Sequence, residues 1–186
     1  MADFLGQVTD EQDFFKKILS KIPGFSGYVD RQNRRSADKL LRDTIANHFE
    51  SLWQRISTVQ KDMLSAGGIE KVNDVEAAAL KIRQFIDRIR SAAYGYAGFF
   101  DAVKIDSKAL AAIYQFDLQL LNLEDEVSRA IDNLASSLGT DGQPAAIRNL
   151  VSMSQQCIDA FEKRKEAVIN YAGGSSVTTT PPMSGS

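Results

Sequence analysis

Few residues in this chain have the capacity for chemistry. There is one histidine, His48 in ANHFESL, and one cysteine, Cys157 in QQCID. A ferritin-like di-iron site needs two Glu-x-x-His motifs and two further carboxylates. No Glu-x-x-His occurs here, and Glu50 follows His48 by two residues. One His and one Cys also make a poor mononuclear zinc set. A b-type haem needs two axial ligands, and the sequence offers His48 with Met63 or Met153 but no Cys-x-x-Cys-His for covalent attachment. His48 stands beside Phe49 at the edge of an apolar stripe, so a partly exposed histidine on a helix flank is the simpler expectation. Cys157 has no base beside it and reads as a small hydrophobe in a core. No Gly-x-Ser-x-Gly, phosphate loop or dinucleotide fingerprint is present. The sequence therefore predicts a protein that is not an enzyme, with no cofactor, no metal and no identifiable small-molecule substrate.

Residues suited to binding are easier to find. Phe14 and Phe15, interleaved with Lys16, Lys17 and Lys21, have the pattern of an interfacial membrane helix or of a helix folded back on the body of the protein. Docking into a partner's groove is a third reading. Arg31, Arg34 and Arg35, with Lys39 and Arg42, form the densest basic cluster, which predicts a salt-bridged surface or a site for phosphates or lipid head groups. Tyr94, Tyr96, Phe99 and Phe100 crowd into SAAYGYAGFFDAVKI, far more aromatic mass than a helix–helix turn needs. Gly95 and Gly98 there permit close backbone approach. That turn reads as a plug closing the end of a bundle or as a surface for a partner. Asp117, close to the apolar stripe in YQFDLQLL, needs a partner if buried, and Arg88 or Arg90 is the expected one.

The elements that position these residues are all helical. Residues 9–22 predict a short amphipathic helix with Phe14, Phe15, Ile18, Leu19 and Ile22 on one face, stopped by Pro23-Gly24. Leu41, Ile45, Phe49, Leu52, Trp53, Ile56, Val59 and Met63 recur at threes and fours over residues 34–65. Val72, Val75, Ala79, Ile82, Ile86, Ile89 and Ala93 keep gaps of 3,4,3,4,3,4, the seam of a bundle, and Ala78 and Phe85 widen it. Ile113, Phe116, Leu120, Leu123, Val127, Ala130 and Leu134 repeat that spacing in a helix capped by Asp106 or Ser107. After the Gly139–Gly142 turn, Pro144 opens a last helix through Ile147, Leu150, Val151, Ile158, Phe161 and Val168. The expectation is an all-α, elongated, antiparallel up-down-up-down four-helix bundle over residues 34–172. A short N-terminal amphipathic helix and connection (1–33) precede it, and a disordered Gly/Ser/Thr/Pro tail (173–186) follows.

The chain has 186 residues and a formal net charge of -2, so no global field favours nucleic acid or an anionic membrane. The charge is uneven, however. Residues 31–65 hold seven basic and four acidic groups (+3), and residues 106–140 hold two basic and six acidic groups (-4). These two helices are expected to be neighbours. A single cysteine and the lack of a spanning apolar run or a secretory leader predict a cytoplasmic protein, peripheral to a membrane if it meets one.

Two segments, IPGFSGYVDRQNRRSADKLLR and YGYAGFFDAVKIDSKALAAIYQFDLQLL, together carry a resemblance. The positions are Pro23, Gly24, Gly27, Tyr28, Arg34, Arg35, Asp38, Tyr96, Gly98, Phe100, Asp101, Tyr114 and Asp117. With these the chain resembles a family of small all-helical bacterial and archaeal proteins of unassigned function. The resemblance implies company with band-seven/flotillin-type membrane proteins and brings no catalytic residues. From residues and resemblance together the expected function is a non-enzymatic helical interaction or scaffold protein with a protein partner, at a membrane surface. The alternative is a bundle holding haem or another small ligand in its core through His48.

Overall fold

A computed structural model describes residues 16–18, 20–22, 34–66, 68–92 and 107–173. Phe14, Phe15, Arg31, the aromatic turn with Tyr94, Tyr96, Phe99 and Phe100, and the tail beyond residue 173 lie outside the described residues, as do the side chains of Arg34 and Arg35. Among the described residues all regular structure is helical. Four long helices carry it: α1 (Arg34–Ser65), α2 (Ile69–Ser91), α3 (Ser107–Ser136) and α4 (Gln143–Gly173). At 1.5 Å per residue they are roughly 35–48 Å long. The apolar stripes explain them: a helix with one greasy face must bury it on others. Nearly every stripe residue among the described ones is buried, including Ala78 and Phe85, while Trp53, Val72, Phe116 and Val151 are half-buried at the margins; Leu19 and Ala93 lie outside the described residues.

Helix direction alternates along the chain, as the spacing predicts. The order around the bundle is less obvious. α1 touches α2 and α3, and α4 touches α2 and α3, so α2 and α3 are diagonal to one another. Two antiparallel hairpins, α1–α2 and α3–α4, thus lie side by side with parallel partners facing. The cross-helix pairs show the direction. Between α1 and α3, His48 meets Glu124 and Arg55 meets Ser128 and Asp132. Between α2 and α4, Lys81 meets Gln155 and Arg88 meets Glu162. Residue numbers rise together in both sets, which only parallel neighbours allow. The expected adjacency of the basic and acidic helices is therefore present, as α1 against α3.

The N-terminal segment, helical at residues 16–18 and 20–21, rests against this frame. Ile18 and Ile22 belong to the same buried cluster as the bundle core. Lys21 Nζ donates to Asp125 at 2.8 Å and to the Leu121 carbonyl at 3.4 Å, both on α3.

The α3–α4 turn has a specific requirement. Gly139 has φ +74°, the left-handed region, and its N–H donates to Gln143 Oε1 at 3.1 Å. A Cβ there would meet nothing within 4 Å, so the cost of a side chain is purely conformational. Gly139→Ala is expected to lower stability by about 1 kcal/mol, read as a shift in urea midpoint at unchanged slope. An unmoved midpoint would show that the turn does not hold this conformation in solution.

Candidate functional site

Charged residues sit inside one end of the bundle. That end gathers the start of α1, the end of α2, the start of α3 and the end of α4. Arg164, on the inner stripe of α4, is 0% exposed. Its Nε donates to Asp117 Oδ1 at 2.6 Å, and its Nη2 donates to Asp38 Oδ1 at 2.6 Å and to Asp117 Oδ2 at 3.3 Å. Asp38 Oδ2 accepts from Arg42 Nε at 2.8 Å, one turn further along α1. Arg42 Nη1 then reaches the Ile89 carbonyl on α2 at 3.2 Å. Two arginines and two aspartates, all buried, tie the four helices together.

The charges need one another. An isolated ionised group in a low-dielectric interior is expensive, whereas a hydrogen-bonded, geometrically matched set is tolerated. Burial raises the Asp117 carboxyl above the ordinary carboxylate value, and the charge and hydrogen bond of Arg164 offset only part of that rise. Immediately inside this layer lies an aromatic one. Phe49 of α1 meets Phe85 of α2 in a tilted pair at 4.6 Å between ring centres, and Phe85 meets Phe161 of α4 edge-on at 6.1 Å. The rings exclude water from the ion network on the core side.

Several expectations change here. Asp117 does have a partner, but it is Arg164, not Arg88 or Arg90. Arg88 pairs with Glu162 on α4, and Arg90 pairs with Glu50 and Asn47 on α1. The physical reason is the diagonal placement of α2 and α3. The basic cluster at the start of α1 is also not wholly a surface, because Arg42 and Asp38 are buried.

His48 and Cys157 fall where simple packing puts them. His48 is a part-exposed flank residue, with Nδ1 2.8 Å from Glu124 Oε2. Met63 is fifteen residues along the same helix, about 22 Å away along its axis, so the two cannot ligate one iron. Met153 belongs to α4, diagonally opposite, while His48 is turned to α3. The Cys157 thiol is fully buried and bonded to the Met153 carbonyl at 3.3 Å. Burial, with Glu126 adding to it, pushes its pKa up to about 12, which removes the thiolate. Among the described residues no cluster of His, Cys, Asp and Glu could hold a metal, and no helix is long and apolar enough to cross a membrane.

Among the described residues, grooves lie between the parallel helices α2 and α4. One, of about 490 Å³, lies near their N-termini and is lined by Lys71, Asp74, Ala77, Ile147, Arg148 and Val151 among others. Another, of about 420 Å³, lies near their C-termini and is lined by Arg88, Ser91, Ala92, Phe161, Glu162, Lys165 and Ile169. Ile169 on its rim is 53% exposed and Leu80, further along α2, is 60% exposed. Arg83 stacks over the half-buried Trp53 ring at 5.6 Å on the α1–α2 side. Comparison with family models, with curated proteins and with solved structures gives no match.

The network was missed in the sequence although a signal existed. Arg164 stands three residues after Phe161 and four before Val168, squarely on the apolar stripe of α4. Removing it alone leaves Asp117 buried without the guanidinium that bonds it, and Asp38 with Arg42 alone. Arg164→Met is therefore expected to cost about 3–5 kcal/mol in denaturant unfolding, with a large part recovered when Asp38, Arg42 and Asp117 are also made apolar. A small loss in the single variant would show that water reaches this end. The Cys157 thiol should react with a disulfide reagent only as fast as the bundle opens, and modification of the native protein within seconds would contradict its burial.

Proposed function

We propose that the protein is a non-enzymatic helical interaction protein that binds a protein partner and works at a membrane surface, in contact with the bilayer but not across it. The observation that carries the first half is the groove at the C-terminal ends of α2 and α4. Phe161 and Ala92 give it apolar walls, Ile169 stands half-exposed at its edge, and Arg88, Lys165 and Glu162 surround it. An apolar anchor site within a polar, arginine-bearing rim is the composition of a docking surface. In the chain, Ala92 is followed within eight residues by Tyr94, Tyr96, Phe99 and Phe100. Those aromatics, with Arg31, Arg34 and Arg35, remain part of the proposed contact set.

The chemistry-bearing side chains support the same reading. His48, Arg55, Arg88, Asp117 and Arg164 are engaged in holding helix to helix. The Cys157 thiol is held protonated. The second half of the proposal draws on the N-terminal segment, where Lys16 and Lys17 are exposed on the polar side of an amphipathic pattern.

Affinity capture from the native host with the wild-type chain and Ile169→Glu tests the docking surface. Because Ile169 is half-exposed, the substitution should leave the melting temperature almost unchanged. The partner captured by the wild type should fall about tenfold or more, as for loss of an anchor. Equal capture by both moves the surface elsewhere, and no stoichiometric partner at all overturns the interaction reading.

A further inference from the structure

We infer that residues 16–22 are a releasable strap, which leaves the bundle to bind an anionic lipid surface with the face it now buries. The inference rests on the membrane half of the proposed function. Ile18 and Ile22, one helical turn apart, are buried in the bundle cluster, and Ile22 N–H donates to the Ile18 carbonyl at 2.9 Å. Lys16, Lys17 and Ser20, on the other side, are exposed. On a 100° helical wheel Phe14, Phe15 and Leu19 continue the face of Ile18 and Ile22, Lys16 and Lys17 take the opposite side, and Lys21 flanks the apolar face beside Phe14. Apolar anchors on one side and lysines on the other match an acyl boundary beneath anionic head groups. A helix docked on α3 cannot present that apolar face to a bilayer. Docking and lipid binding therefore exclude each other.

The hold on the bundle suits exchange. One polar tether to α3 is Lys21 to Asp125, whose side chains are 31% and 56% exposed. An ion pair so open to water is weak and is screened by salt. Lys21 also donates to the Leu121 carbonyl at 3.4 Å, a long bond made to a helix that keeps its own backbone pairing. Near an anionic surface, lipid phosphates and carboxylates compete with Asp125 for the same ammonium.

The full chain, Asp125→Lys and Ile18→Glu/Ile22→Glu are compared by flotation with phosphatidylcholine vesicles, with and without phosphatidylserine. Amide hydrogen exchange over residues 16–22 is read in parallel. Asp125→Lys is expected to speed exchange in the strap and to raise the fraction bound to phosphatidylserine vesicles by on the order of five-fold, with no gain on phosphatidylcholine alone. The double glutamate variant, checked for folding by its melt, should bind at background. If Asp125→Lys leaves strap exchange unchanged, Lys21–Asp125 is not the latch and the inference fails. If the strap loosens and flotation is strong but equal to wild type, the strap is not the lipid-binding element, while the membrane reading survives through another surface. If the strap loosens and nothing floats, the inference and the membrane reading both fall, leaving a protein groove as its ligand; the partner-docking surface is unaffected.

Discussion

A guanidinium at 0% exposure dictates the geometry around it. Arg164 has to find carboxylates, and it finds one on α1 and one on α3, each at 2.6 Å. Apolar stripes are tolerant: a helix can slide by a turn along its neighbour and still bury leucine against isoleucine. A charge-assisted hydrogen bond at this distance cannot slide. Arg42 extends the constraint to α2 by donating to the Ile89 carbonyl, within the last turn, where helix carbonyls lack intrahelical donors. Measured as net stability, such a buried set does no better than well-packed hydrophobic residues. On this physical argument its value is register: it states where along their axes the four helices stop relative to one another.

Register along the axes leaves open which helices are neighbours, and there surface charge decides. α1 is the basic helix and α3 the acidic one. They run parallel, with Arg55 reaching Ser128 and Asp132 and His48 reaching Glu124. Parallel packing brings like ends of two helix dipoles together, a small and screened cost at exposed termini. Each cross-helix pair at the surface is also modest, at about 0–1 kcal/mol. Several of them along one seam, repeated on the opposite seam by Lys81–Gln155 and Arg88–Glu162, bias the choice without deepening the core. The consequence is that residues 93–106 must join helices that are diagonal to each other. This is a greater demand than a hairpin turn makes, and it falls on the most aromatic stretch of the chain.

The architecture was legible because period and burial are the same fact seen twice. Gaps of three and four over Val75–Ile89 turned up as buried Val75, Ala79, Ile82, Ile86 and Ile89, and Phe85 widened the stripe as its position requires. The turn at Gly139–Gly142 was legible too, and the structure adds that Gly139 is its left-handed residue. What could not be read was which helix faces which. A heptad stripe is compatible with either ring order, so nothing in the spacing separates Arg88 or Arg90 on α2 from Arg164 on α4 as the partner of Asp117. Arg164 was overlooked for a different reason. A long polar residue on a stripe is normally assumed to snorkel outward, but here it is held inward by two carboxylates 47 and 126 residues away.

The molecule thus has two kinds of polar contact with opposite mechanical consequences. Inside, Arg164, Asp38, Asp117 and Arg42 are shielded from solvent and backed by the Phe49–Phe85–Phe161 layer. Any motion separating them leaves charge unpaired in a medium that cannot screen it, so this end moves as a unit or unfolds. Outside, Asp125 is exposed and Lys21 half-exposed. Water and salt replace each partner at little cost, and the loss on release is mainly the burial of Ile18 and Ile22, about 1.5–3 kcal/mol each. A conformational change compatible with an intact bundle therefore belongs at the N-terminal strap rather than in the core. The physical asymmetry between the two contacts, more than any motif, is what separates the part of this chain that holds shape from the part free to respond.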